Sequence, residues 1–196
     1  MILKNYDIKD TKTMKTDARV IQTKATIRKD FISLLNDLPL NKITVKALCD
    51  KSNINRATFY RYYEDIYDLY EKTKDDFISA FLESFFSMKN LTMENKLKIL
   101  VGEIKNNASL VYALTRQNDS INFTSKMCEN LYNHIESEFN SLFADFNEKQ
   151  CASAFTFVVS GCAGLLSTWV NTGMETNTDE IAVILYKLIK NTLKLA

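Results

Sequence analysis

The stretch that decides the fold is TVKALCDKSNINRATFYRYY, residues 44–63. Residues 45–51 and 56–62 are expected to form two short helices, because Thr44 and Asn55 precede them with side chains that cap helix N-termini. Residues 52–54, between the first helix and the cap Asn55, predict a tight three-residue turn. Two helices joined in this way form a helix-turn-helix, whose second helix enters the major groove of DNA.

The second of these helices has two distinct faces. At about 100° per residue, Phe59 and Tyr63 point to one side and are expected to be buried. Ala57, Thr58 and Arg61 lie on the opposite side, where they could reach base edges. Arg61 can offer two parallel donors to guanine, and Ala57 is small enough to approach a thymine methyl group.

Phosphate contacts are expected around the same face. Tyr60 and Tyr62 lie about 100° to either side of the buried face, where their hydroxyls could meet phosphates that flank the groove. Arg56 adds charge in the first turn, and Thr44 and Lys46 suit a phosphate at the N-terminus of the first helix. The alternative is a helical hairpin whose aromatic residues are only core, but that explains the Arg-bearing outer face poorly.

The composition favours an all-α fold. The 196 residues are enough for one or two domains, and 46% hydrophobic with 25% charged residues is typical of a globular protein. Only 4 Gly and 1 Pro are present, too few for the many tight turns of an all-β fold. Helical spacing of apolar residues along the chain predicts about nine helices, with a three-helix helix-turn-helix domain followed by a larger helical domain.

Charge divides the chain into two parts. Residues 1–63 hold 13 Lys and Arg against 6 Asp and Glu, a net charge of +7, whereas the rest has a net charge of −6. Such asymmetry is typical of a protein with one end suited to a polyanion. We expect a flexible basic arm over residues 1–17, a DNA-binding domain over 18–63 and a second helical domain over 64–196.

The sequence lacks the residue patterns that catalysis and metal binding require. With one His and no C-x-x-C pair among 4 Cys, no zinc ligand set can be assembled, and no nucleotide-binding or nucleophile motif is present. We therefore expect no enzyme, no metal and no cofactor, and the Cys residues favour a reducing, cytoplasmic location. Residues 150–174 carry no charge, but the Ser and Thr among them favour a helix in a protein interface over a membrane span.

Residues 43–71, ITVKALCDKSNINRATFYRYYEDIYDLYE, resemble the DNA-binding domain of TetR/AcrR-family transcriptional regulators. Arg56, Thr58 and Tyr60 match the recognition helix of that family. The resemblance implies a homodimer that binds double-stranded DNA at a roughly palindromic operator under the control of a small-molecule effector. Together, the residues and the resemblance give as DNA contacts Thr44, Lys46, Asn55, Arg56, Ala57, Thr58, Tyr60, Arg61 and Tyr62.

One departure from the family pattern bears on DNA affinity. Family members often carry lysines directly after the recognition helix, and one commonly contacts a phosphate. This chain has Glu64, Asp65 and Ile66 there. An alternative function is therefore a helix-turn-helix-derived module that acts through a protein partner with little DNA binding.

The segment from 64 to 147 is rich in aromatic residues. They could line a cavity for an apolar or aromatic ligand, although a densely filled core accounts for them as well. By the resemblance, this region binds the effector. The candidate ligand contacts are Tyr70, Phe81, Tyr112, Phe123, Tyr132 and His134.

The uncharged helix near the C-terminus is expected to pair with a second copy of the chain. Its glycines would let a partner helix approach closely, and residues 161–185, GCAGLLSTWVNTGMETNTDEIAVIL, resemble the dimerising helix pair of the family. Two helices from each copy would form a four-helix bundle. The predicted interface residues are Phe157, Gly161, Gly164, Leu165, Trp169, Ile184 and Leu188.

Overall fold

The computed structural model describes residues 8–116, 125–126, 129–133 and 146–194. Within these ranges the chain is helical and contains no strand, which confirms the all-α fold and fits the expected count of about nine helices. Residues 125–126 and 129–133 are helical, and Leu40–Lys42 form a 3-10 turn. The other helices are α1 (Ile8–Asp37), α2 (Val45–Lys51), α3 (Arg56–Tyr60), α4 (Ile66–Ser87), α5 (Met93–Asn106), α6 (Ala108–Arg116), α7 (Glu148–Asn171) and α8 (Thr178–Lys194).

Helix α1 begins ten residues before the expected start at Ala18 and includes part of the segment predicted as a flexible arm. No Gly or Pro interrupts residues 8–37, and once a helix is nucleated each further residue adds a hydrogen bond at little cost. The helix ends at Asp37, two residues before Pro39, because the residue that precedes a proline avoids the α region.

The chain divides into two compact units, Met1–Thr73 and Lys74–Ala196. The division lies inside α4 and not at the predicted boundary between residues 63 and 64. The first turns of α4 are attached to the residues after α3. The ammonium of Lys72 donates to the carbonyl oxygen of Tyr62 at 3.4 Å and lies 5.6 Å from the centre of the Tyr63 ring.

In the first unit, α1 packs against α2, and α2 packs against α3. The face of α1 that carries Ile27, Phe31 and Leu35 at four-residue steps is fully buried. Leu48 of α2 and Phe59 of α3 are buried to the same degree. These three helices therefore form a core that holds α3 in place.

In the second unit, α5 packs against α8, and α6 packs against α7. Apolar side chains from these helices form the main core, which consists of Leu97, Val101, Ile104, Val111, Trp169, Val170, Ile181, Ala182 and Leu185. A smaller cluster forms around Cys151 and Phe155 near the start of α7.

The corner between α7 and α8 is fixed by specific hydrogen bonds. Gly173 and Met174 both have positive φ, +83° and +58°, which reverses the chain direction after α7. The indole Nε1–H of Trp169 donates to the carbonyl oxygen of Thr176 at 2.7 Å across this corner. Asn177 then caps α8 by accepting from the backbone N–H of Glu180 at 2.9 Å.

Helix α7 is the one helix in the described ranges that is long and apolar enough to cross a membrane, by length and composition alone. Only 11% of its most apolar 18-residue window is buried within the protomer. The exposed side is lined by small uncharged residues and one large apolar one, namely Ser153, Thr156, Phe157, Ser160, Gly161, Gly164 and Thr168.

Candidate nucleic-acid interface

The two helix caps predicted from the sequence are both present. The hydroxyl oxygen of Thr44 accepts from the backbone N–H of Ala47 at 3.1 Å at the start of α2. The side-chain oxygen of Asn55 accepts from the backbone N–H of Thr58 at 2.7 Å at the start of α3. Between the helices, Asn53 has φ of +51°, a left-handed conformation that Asn tolerates better than most residues. The local sequence thus fixes the angle at which α3 leaves the turn.

The side chains of α3 are arranged on two faces, as predicted. Phe59 and Tyr63 are buried, with 0% and 3% of their surfaces exposed. Arg56, Ala57 and Arg61 are exposed on the other side. The helix ends at Tyr60, two residues earlier than expected, and the next turn tightens because the N–H of Tyr62 bonds to the carbonyl of Phe59 at 2.9 Å.

The predicted DNA contacts differ in whether their polar groups already form hydrogen bonds within the protein. The hydroxyl of Thr58 donates to the side-chain oxygen of Asn55 at 2.9 Å, so its hydrogen is used within the protein. Arg61 and Tyr60 are exposed, with 56% of the tyrosine surface accessible. Arg56, Ala57 and Lys46 are likewise exposed. Thr58 is therefore placed to position the helix, whereas Arg61 and Tyr60 have polar groups that face solvent.

The acidic residues after α3 have a structural role. Asp65 accepts from the backbone N–H of Asp68 at 2.8 Å and so caps α4. Asp68 accepts from the backbone N–H of Glu64 at 2.9 Å and from the ammonium of Lys72 at 2.8 Å. The hydrogen bond from Lys72, followed by that from Glu64, lowers the pKa of Asp68, and the same bond with Asp68 raises the pKa of Lys72. Carboxylates at the start of a helix also interact favourably with its dipole.

Two lysines near α3 were not predicted from the sequence. The ammonium of Lys24, on α1, lies 5.4 Å from the centre of the Tyr62 ring. Lys72 contacts the carbonyl oxygen of Tyr62. The Asp68–Lys72 pair has the i, i+4 spacing of a helical ion pair and was available in the sequence. The contact from Lys24 depends on how α1 packs and had no local signal.

The described cysteines behave as small apolar residues. Cys49 and Cys151 are buried, Cys162 is partly buried, and all three are free thiols. Burial raises the pKa of Cys49, which keeps the thiol protonated at neutral pH. Across the described ranges, no group of three His, Cys, Asp or Glu side chains is placed to hold a metal ion.

The described ligand candidates do not converge on one place. Phe81 and Tyr112 pack against the main core of the second unit. The ring of Tyr132 lies 5.0 Å from that of Phe155 in the smaller cluster. Tyr70 is 2% exposed and belongs to the first unit, so it is a core residue there. The other two candidates, Phe123 and His134, lie outside the described residues.

The predicted interface residues are mostly on the surface of the protomer. Phe157 is 70% exposed, Leu188 52% and Ile184 36%. Gly161 and Gly164 are exposed, and Leu165 is partly buried against the main core. Trp169 is different because it is only 4% exposed and its indole bonds to Thr176. The α7–α8 corner takes the ring into the core of the protomer, and the contribution of Trp169 to a dimer interface stays a prediction.

A helix-turn-helix unit and a larger helical unit in one chain form an architecture that is typical of transcriptional regulators. The TetR_C_8 family, described as "Transcriptional regulator C-terminal region", matches residues 91–191. The chain belongs to the TetR family of transcriptional regulators. This identification confirms the resemblance drawn from the sequence.

Sequence comparison gives one relative for part of the chain. It is the HTH-type transcriptional regulator YxbF of Bacillus subtilis (strain 168), 30% identical over 76 residues. The match covers 37% of this chain and 20% of that protein. The chain therefore spans only a small share of this relative's length.

Solved structures of TetR-like regulators share the fold over most of the chain. A TetR transcriptional regulator from Streptococcus agalactiae 2603V has a TM-score of 0.63 at 22% identity, over 93% of this chain and 98% of that one. The fatty acid degradation regulator FadR from Bacillus halodurans has a TM-score of 0.68 at 14% identity, over 87% and 94%. The dihydroxyacetone kinase operon activator DhaS has a TM-score of 0.64 at 14% identity, over 89% and 98%. At these identities the comparison establishes the fold alone.

Proposed function

We propose that this protein is a cytoplasmic, dimeric transcriptional regulator that binds DNA sequence-specifically and responds to a small-molecule effector. The observation that carries the proposal is the exposed face of α3. Arg56, Ala57 and Arg61 are exposed on this face, whereas Phe59 and Tyr63 on the opposite face are buried. A short helix held in this way can enter a major groove without losing its own core contacts.

Each exposed residue of α3 has a separate role in this proposal. Arg61 reads guanine through two parallel donors, and Ala57 allows the helix backbone to come close to the bases. Tyr60 and Arg56 bind phosphates on either side of the groove. Asn55 and Thr58 bond to each other at 2.9 Å and hold the first turn of the helix in the orientation that these contacts need.

A second copy of the chain is the partner that fits the outer side of α7 and α8. Phe157 and Leu188 are large apolar residues that are more than half exposed, at 70% and 52%. A Cβ atom built on Gly161 or Gly164 would meet no atom within 4 Å, so the protomer itself does not require glycine there. Glycine lowers helix stability by about 1 kcal/mol relative to alanine, which points to a need outside the protomer, such as close approach of a partner helix.

Dimerisation also explains why α7 is so apolar, because a partner helix would cover its exposed side and no membrane is needed to do so. A dimer related by two-fold symmetry places two recognition helices on two half-sites, about 34–36 Å or one DNA turn apart. The operator is then roughly palindromic.

The second unit is the place for an effector. The structurally similar FadR and DhaS are named for fatty acid degradation and for a dihydroxyacetone kinase operon, so proteins of this fold serve different metabolic functions. Phe81 and Tyr112 pack around the main core of this unit in the present chain and offer apolar and aromatic contacts to a ligand. DhaS is described as an activator, so a protein of this fold can activate transcription, and the proposal includes both activation and repression.

Fluorescence anisotropy tests the DNA-binding proposal. Purified protein is titrated into labelled DNA that flanks its own gene and into a scrambled duplex, at two salt concentrations, followed by selection of bound fragments from the whole genome. We expect preferential binding that weakens steeply with salt, because each neutralised phosphate releases counterions. Failure of both the flanking DNA and the genomic selection to give a preferred duplex would contradict it.

The alternative, a module that binds a protein partner, is favoured by one observation. Glu64 and Asp65 place two exposed carboxylates between α3 and α4, where they would repel a phosphate backbone. A mainly apolar contact with a protein would depend little on salt, so the same titration separates the two functions.

A further inference from the structure

Residues 64–68, which lead from the end of the recognition helix into the first turn of α4, contain no cation that could bind a phosphate. Asp65 and Asp68 accept backbone hydrogen bonds at 2.8 and 2.9 Å that cap α4, and both carry negative charge. Deprived of a cation in this segment, a DNA-binding helix needs positive charge from elsewhere in the fold to hold the nearby backbone phosphate.

Lys72 is near this position, but its charge is already neutralised. Its ammonium lies 2.8 Å from a carboxylate oxygen of Asp68 and 3.4 Å from the carbonyl oxygen of Tyr62. To bind a phosphate, Lys72 would have to break its ion pair with Asp68. The unpaired carboxylate of Asp68 would then repel the phosphate. Lys72 therefore acts within the protein, at the junction of α3 and α4.

Lys24 is an exposed cation that is placed to bind an anion outside the protein. It is exposed on α1, and its ammonium lies 5.4 Å from the centre of the Tyr62 ring. The contact of its ammonium is with the face of this ring, which takes up no N–H···O hydrogen bond, so its three N–H donors are available to an external anion. The aromatic face holds the flexible side chain close to the end of α3, which reduces the entropy lost on binding.

We propose that Lys24 and Tyr62 bind one backbone phosphate together, at the C-terminal end of the recognition helix. The ammonium of Lys24 supplies the charge and the phenolic hydroxyl of Tyr62 donates a second hydrogen bond to the same anion. The contact positions α3 in the groove but reads no base. This inference rests on the proposed DNA binding and identifies which residues replace the cation that the following segment lacks.

The test compares Lys24→Gln with Lys29→Gln on the DNA duplex that the wild-type protein selects from a random-sequence library. Lys29 is an exposed lysine of the same helix, so both variants remove the same charge. In the dimer the variant loses one phosphate contact at each half-site, so we expect Lys24→Gln to reduce the slope of log affinity against log salt by about 1.8 and to weaken binding about thirtyfold at 0.15 M salt. The slope for Lys29→Gln is expected to equal that of the wild type.

Tyr62 variants test whether the two side chains act as a pair. Tyr62→Phe keeps the ring and removes only the hydroxyl, so it is expected to weaken binding several-fold with no change in salt slope. In a Tyr62→Leu background the effect of Lys24→Gln is expected to shrink, because the ring no longer holds the ammonium. Circular dichroism of each variant confirms that it is folded.

The outcomes separate this inference from the function on which it rests. A wild-type protein that selects no duplex overturns both. A wild-type protein that binds DNA, with equal affinities and salt slopes for Lys24→Gln and Lys29→Gln, leaves the proposed function intact and overturns the role of Lys24. An undiminished Lys24→Gln effect in the Tyr62→Leu background overturns the pairing with Tyr62.

Discussion

Arg61 is the residue on which sequence discrimination depends most in the proposed complex. It is exposed at the C-cap of α3 and can present two parallel donors to the edge of a guanine. Arg61→Ala is expected to cost about 1–3 kcal/mol of specific binding at each half-site, with little loss of affinity for a scrambled duplex beyond one charge per protomer. Competition anisotropy with the two duplexes measures both values.

Arg61→Lys is the matched control for charge. Lysine keeps the positive charge but lacks the planar fork of donors, so we expect a normal salt slope together with reduced discrimination. Equal discrimination by the wild-type protein and Arg61→Ala would show that Arg61 reads no base.

The pair of Asp68 and Lys72 makes stability depend on pH in a defined direction. The pKa of Asp68 is lowered, chiefly by the hydrogen bond from Lys72, so its contribution is complete above about pH 4 and is lost as pH falls through the lowered value. The pKa of Lys72 is raised, chiefly by Asp68, so its contribution is complete below about pH 10 and is lost as pH rises through the raised value. The pair therefore stabilises the first unit across the neutral range.

Asp68→Asn tests this dependence. We expect the variant to unfold at lower urea concentration than the wild type at pH 7, because the charge of Lys72 loses its partner. The difference is expected to disappear once the pH falls below the lowered pKa of Asp68, where the wild-type carboxylate is protonated as well. Urea unfolding followed by circular dichroism measures both, and a difference that is the same at both pH values would contradict the role of the ion pair.

At the scale of the element, the recognition helix is only five residues long, from Arg56 to Tyr60, and depends on its cap. Asn55→Ala removes the acceptor for the N–H and hydroxyl of Thr58 and is expected to lower the free energy of unfolding by about 1 kcal/mol. Asn55→Asp keeps an acceptor of equal quality, so stability is expected to be unchanged. Urea unfolding at a fixed protein concentration provides the comparison.

The same two variants separate the cap from a contact with phosphate. Asn55→Asp adds a negative charge at the first turn of α3, so we expect it to weaken DNA binding although its fold is intact. DNA affinity equal to that of the wild type would place Asn55 away from the backbone and leave it with a structural role alone.

The elements that the sequence predicts well are those fixed by contacts between near neighbours. Thr44, Asn55 and Asn177 cap helices through bonds to residues three positions ahead, so their pattern is visible in the sequence. The caps of the helix-turn-helix are built from such contacts, whereas the burial of its inner face depends on α1 as well.

What the sequence did not reveal depends on packing between distant residues. The burial of Trp169 follows from the bond of its indole across the α7–α8 corner, and the contact of Lys24 with Tyr62 follows from the packing of the first three helices. The unit boundary lies inside α4 for a similar reason, because Lys72 contacts residues before that helix. Helical periodicity shows which residues face inward, but not which partners they meet.

At the scale of the whole molecule, the proposed function requires two copies of α3 held at a fixed separation. One recognition helix alone offers a small contact with DNA, whereas a second one on the same molecule binds at a high effective concentration. The exposed sides of α7 and α8 are therefore as necessary for operator binding as α3 itself. A change there should abolish DNA binding without touching a single DNA contact.

Phe157→Glu is the variant that tests this requirement. Phe157 is 70% exposed in the protomer, so the substitution leaves the core intact, but in a dimer it would bury an unpaired carboxylate at a cost of several kcal/mol. We expect sedimentation velocity to show a monomer for the variant and a dimer for the wild type, and we expect the operator affinity of the variant to fall at least a hundredfold.

Ile99→Glu is the control, because Ile99 is an exposed apolar residue of α5 and its replacement introduces the same charge outside the proposed interface. If Phe157→Glu still sediments as two chains, the partner binds elsewhere on the protomer. If it is a single chain that still binds the operator with full affinity, the recognition helices act independently and a palindromic operator is not required.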